Sequence, residues 1–156
     1  MILKTNFIVK NVVGLVLAFG LGSACFAETP GEIQARVDAL EAAGTYAQAA
    51  ELLEAEFEVL HAEIDDERAI FLQLARLIDD AGQRDARIVD LEGRLSVNPQ
   101  DRFARYVLAS LYMVREDYAK SARTFRELVR QDPEDAKTAG IFFTSCLGAG
   151  DDCPPL

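Results

Sequence analysis

Between Phe103 and Tyr112 the apolar residues Phe103, Tyr106, Val107, Leu108, Leu111 and Tyr112 recur at steps of three and four, the spacing that gathers side chains on one helix face. Phe125, Leu128 and Val129 repeat the pattern further along, and the short Arg115-Glu116-Asp117 joint between the two stretches makes them antiparallel neighbours. Asn98-Pro99 and Asp132-Pro133 bracket this pair 34 residues apart. Asn98-Pro99 reads as a helix cap followed by a first-turn proline.

The same arrangement extends upstream. Thr29-Pro30-Gly31-Glu32 combines a capping hydroxyl, a proline at the first helical position and an acid that reaches back to the cap. Ile33, Val37 and Leu40 form the stripe of that helix, and Ala43-Gly44-Thr45 ends it. A second helix opens at Tyr46, with Ala49, Ala50, Leu53, Phe57 and Leu60 on its apolar face and Glu51, Glu54, Glu58 and Glu63 facing solvent. Asp65-Asp66-Glu67 starts the next helix, with Phe71, Leu74, Ala75 and Ile78 at helical spacing and Ala81-Gly82 as its turn; Ile88, Leu91 and Leu95 follow in a partner helix. The turn residues Gly44, Gly82 and Glu116 lie 38 and 34 residues apart, so the first pair carries about one extra helical turn, placed in its long second helix. A last helix is expected from about Ala136 to Leu147 with Ile141, Phe142 and Phe143 covering the array, before Gly148-Ala149-Gly150 turns the chain.

Leu108, Ala109, Tyr112, Tyr118, Phe125 and Pro133 fall where the tetratricopeptide repeat places its leucine, small residue, tyrosine, second tyrosine, phenylalanine and closing proline, and the chain resembles that family over about residues 30–147. The resemblance implies an all-α, right-handed solenoid of antiparallel helix pairs, with repeats over about 30–64, 65–98 and 99–132 and a capping helix and tail over 133–156. The departures are the absence of tryptophan, Arg105 at the place the family often gives it, Glu116 for the turn glycine, and Ser121 and Arg87 for the small alanine of the second helix, with Ala86 the alternative in the second repeat. In that family the first helix of each unit lines a groove that binds peptides. The matching positions here are Leu72, Arg76, Asp80, Phe103, Tyr106, Ser110 and Met113. Gln73, Arg76, Val107 and Ser110 stand where a chaperone-binding member carries its asparagine and lysine carboxylate clamp, which disfavours that role.

Residues 1–27 have a different character: Lys4 and Lys10 precede an apolar run from Val12 to Leu21, then Gly-Ser-Ala-Cys-Phe-Ala, which reads as a secretory signal peptide cleaved after Ala27. Two other fates stay open. Gly22-Ser23-Ala24-Cys25 resembles a bacterial lipoprotein box, which would place a lipid on Cys25, and an uncleaved leader would anchor the chain, although its 17 uncharged residues are short of a full span. Each route implies export, with the bacterial periplasm as the expected compartment. After removal or acylation of Cys25, Cys146 and Cys153 form an even pair, and one disulfide is expected between them.

The charge narrows the partners. A net charge of −10 argues against nucleic acid, which needs a basic face, and against an anionic lipid surface. The acidity is concentrated: residues 28–67 hold 12 acidic side chains against Arg36 alone, while 68–156 hold 14 acidic against 13 basic. His61 stands without a nearby nucleophile motif, and two cysteines with one histidine cannot supply four zinc ligands. No phosphate loop, metal motif or nucleophile elbow occurs, and Asp65-Asp66, Asp79-Asp80 and Asp151-Asp152 lie at expected helix ends or turns. The expectation is an exported adaptor or assembly factor that binds a protein, without catalysis, metal or cofactor. The alternatives are a structural subunit or lipoprotein scaffold of a larger envelope complex and, less favoured, a small hydrolase.

Overall fold

The computed structural model describes residues 28–63 and 67–156. Eight α-helices follow one another among them, and the described residues contain no strand: α1 Pro30–Ala42, α2 Tyr46–Ala55, α3 Phe57–Glu63, α4 Glu67–Asp80, α5 Arg84–Val97, α6 Arg102–Val114, α7 Tyr118–Gln131 and α8 Ala136–Ala149. A short 3-10 turn, Gly150–Asp152, follows. No helix among the described residues is long and apolar enough to cross a membrane. Residues 1–27, expected to be a leader and including Cys25, and the expected helix start at Asp65-Asp66 lie outside the described residues.

Three of the turns are built alike. After α1 the Gly44 N–H reaches the Glu41 carbonyl and the Thr45 N–H the Leu40 carbonyl; after α4 Gly82 and Gln83 bond Asp79 and Ile78 in the same way; after α6 Glu116 and Asp117 bond Met113 and Tyr112. This pair of hydrogen bonds closes a helix end when the residue after the C-cap takes a left-handed backbone. The φ angles are +72° at Gly44, +69° at Gly82 and +64° at Glu116, the last a non-glycine in a conformation that L side chains resist. Glu116 therefore takes the glycine's place without changing the turn.

Helix starts follow local chemistry. Thr29 Oγ1 accepts the Glu32 N–H at 3.3 Å, while the Glu32 carboxylate accepts the Thr29 N–H and the Thr29 hydroxyl, each at 2.9 Å, and these last two bonds hold the Glu32 carboxyl below its usual range. The expected Asn98-Pro99 cap is corrected. Asn98 ends α5 and Pro99 lies in the intervening turn, while the Asp101 carboxylate accepts the Ala104 N–H at 2.9 Å as the cap of α6. Asp117 and Asp135 cap α7 and α8 likewise. The expected long helix from Tyr46 is broken at Glu56 into α2 and α3; Tyr46–Glu63 remains four residues longer than the fourteen of α5 or α7.

The helices pack on their neighbours: α1 on α2, α2 on α4, α4 on α6, α5 on α6, α6 on α7 and α7 on α8. Leu53, Leu74, Leu91, Val107, Leu111 and Leu128 are fully buried in one continuous core. Between α6 and α7 the close approach is made by Ala109 and Ser121, both without exposed surface; the Ser121 hydroxyl donates to the Ala109 carbonyl at 3.0 Å and also bonds Ser145 of α8. Serine thus stands at the close approach with its polar atom satisfied. Counted from the helix start, Arg87 stands at the equivalent place in α5, and its guanidinium extends to Glu54 of α2. At the far end Cys146 and Cys153 are joined in a disulfide with Cα atoms 4.8 Å apart, which folds the tail against α8. Gly148 lies against the Tyr118 ring, where a Cβ would come within 2.5 Å of Cγ.

Candidate functional site: a groove and an aromatic pocket

The seven residues expected to line one groove are distributed by the fold over several environments. Leu72 and Met113 come together, half-buried, in an open groove of about 320 Å³ formed by α4, α6 and α8. Arg68 and Ala69 complete the α4 wall, and Ile141 and Thr144 supply that of α8. Arg76 and Asp80 are exposed further along α4, with Asp80 beside Tyr46 at the other end of the helix. Ser110 is buried at 1% exposure.

Phe103 and Tyr106 belong to a second cavity. Tyr106 is 2% exposed, its ring stacked on Phe71 at 4.4 Å between centroids and edge-on to Phe125 at 5.6 Å. Its hydroxyl bonds the Thr138 hydroxyl of α8. Thr138 in turn donates to Asp135, which caps α8 and pairs with Arg102 at 2.6 Å. Burial pushes the Asp135 carboxyl up, but the bonds from Thr138 and Arg102 outweigh it and hold the group below the usual carboxylate range. The Tyr106 edge of α6 is therefore fastened to α8 by polar bonds, and it presents little surface of its own.

Around that anchor lies a pocket of about 210 Å³. α3 contributes Phe57, Glu58 and His61, α4 contributes Phe71, and α6 contributes Arg102, Phe103 and Tyr106. Phe57 touches Phe71 and Phe103 with centroids 5.0 and 4.8 Å apart, and His61 stacks on Phe57 at 5.4 Å. Arg102 lies 5.5 Å over the Tyr106 ring. Such an arrangement suits recognition of a side chain by ring faces and charge. Among the described residues no three His, Cys, Asp or Glu side chains are placed to hold a metal ion.

Sequence reasoning did not identify Phe57, Glu58 and His61 as neighbours of Phe103. The apolar face that includes Phe57 was legible, yet the residues of α3 and α6 that meet here are more than forty positions apart in the chain. Of the three residues expected on the covering face, Ile141 and Phe142 are buried, whereas Phe143 points away from the core and is exposed; Ile141 with Thr144 also lines the groove.

No protein-family model, curated protein or solved structure matches this chain.

Proposed function

We propose that the protein is an exported tetratricopeptide-like module of the cell envelope that binds another protein as an adaptor or assembly factor, without catalysing a reaction. The observation that carries the reading is the groove of α4, α6 and α8. There Leu72, Met113 and Ile141 give an apolar floor between Arg68 and Thr144, while each supporting helix is held by the core beneath it. A shallow apolar trough with a few polar groups fits a peptide segment better than an enclosed substrate. The export part of the reading rests on residues 1–27 and the Cys146–Cys153 disulfide.

A structural subunit of a larger complex is the second reading, favoured by Phe143 and Leu147, which follow each other one turn apart on α8 and are 55% and 86% exposed. Photo-crosslinking amino acids placed at positions 72 and 113, at 143 and 147, and at Val89 on α5 separate these readings in the producing cell. The adaptor reading expects one protein captured from positions 72 and 113 and not from 89. Capture from 143 and 147 alone transfers the function to the α8 face, and equal capture from all positions, or none, refutes the groove.

A further inference from the structure

The aromatic pocket differs from the groove in its electrostatics. Phe57, Phe71 and Phe103 touch one another at its floor, and aromatic faces carry the negative side of the ring quadrupole. Arg102 in its wall is already neutralised by Asp135 at 2.6 Å. Glu58 at the rim is exposed and makes no ion pair among the described residues. Preceding it in the chain, α2 and the α2–α3 joint carry Glu51, Glu54 and Glu56, of which Glu54 is paired with Arg87. The surrounding segment, residues 28–67, holds 12 acidic side chains against one basic. The pocket thus joins the half-buried Phe103 ring, backed by Phe57 and Phe71, to the charge of Glu58, unpaired among the described residues, and Arg102 over Tyr106 shows a guanidinium lying on a ring of this same wall.

We propose that this pocket receives the cationic side chain, an arginine or a lysine, of a basic segment in the protein partner. The inference rests on the protein-binding function above and specifies the chemistry of the bound segment. The acidic helices attract a basic segment at long range, an effect that weakens as salt is raised. The half-buried Phe103 ring and Glu58 then hold one side chain at short range, by cation–π attraction and an ion pair.

Isothermal titration of the purified protein with penta-arginine, penta-glutamine and penta-glutamate at low salt tests this. Only penta-arginine should bind. Glu58→Gln should weaken it about two- to fivefold, the range for an exposed charge pair, and Phe103→Leu should weaken it by a similar factor through loss of the ring face. Glu51→Gln, which removes the same charge from a helix position outside the pocket, should change the affinity by less. Circular dichroism confirms that each variant keeps its helices. No binding of penta-arginine, equal binding of penta-glutamine, an equal effect of Glu51→Gln, or no effect of Phe103→Leu would each overturn the proposal. Crosslinks from positions 72 and 113 that survive such a result leave the adaptor function standing, whereas their absence removes the function itself.

Discussion

Replacing Glu116 with glycine should stabilise the protein. Glu116 has φ +64° in a turn whose two counterparts use Gly44 and Gly82, and its side chain is exposed, so little contact is lost when it is removed. A left-handed backbone costs an L-residue about 1–2 kcal/mol. Against that, glycine gains freedom in the unfolded chain, worth about 0.5–1 kcal/mol. The expected net gain is about 0.5–1 kcal/mol, seen as a rise of about 2–5 °C in Tm for a domain of this size. Gly82→Ala provides the converse, because a Cβ there meets nothing within 4 Å and the effect is confined to the backbone; a loss of about 0.5–1 kcal/mol is expected. Urea unfolding followed by circular dichroism, with the disulfide intact, measures both variants. The reasoning fails if Glu116→Gly is neutral or destabilising while Gly82→Ala is harmless, since the left-handed turn would then not be the source of strain.

Gly148→Ala should destabilise by about 1–3 kcal/mol, the usual penalty of overpacking, because its Cβ would come within 2.5 Å of the Tyr118 ring; a double-mutant cycle with Tyr118→Leu should show the two positions coupled. Asp135 gives a pH-dependent prediction. Its carboxyl is depressed in the folded state, so its contribution is present above the unfolded value of about 3.9 and is lost as pH falls through the folded one. Asp135→Ala should therefore lower stability at pH 7 by about 0.5–2 kcal/mol, the range for losing a helix cap, and make the acid limb below pH 4 shallower. An unchanged acid limb in urea titrations at pH 3 to 7 would refute that role.

Much of the helical framework was legible in the sequence because it depends on residues within about four positions of one another. The Thr29-Glu32 box, the glycines at 44 and 82 and the start of the last helix near Ala136 are all local. The disulfide was legible for a different reason, since elimination left Cys146 and Cys153 as one pair. Even local rules competed at Asn98-Pro99: Asp101 supplies the cap of α6, and the helix starts three residues later than the proline suggests.

What tertiary structure decided was which helix faces are covered, and by which other element. Phe103, Tyr106, Ser110 and Met113 share a period along α6, but α8 supplies Thr138 to Tyr106 while Met113 is left at the edge of a groove with Leu72. Glu58 reads as a solvated acid on a helix face, and only the packing of α3 beside α6 brings it to the rim of an aromatic pocket. Periodicity determines which side chains point the same way from one helix. Whether that direction meets another helix, a cavity or water depends on contacts between residues far apart in the chain, which periodicity along one helix does not contain.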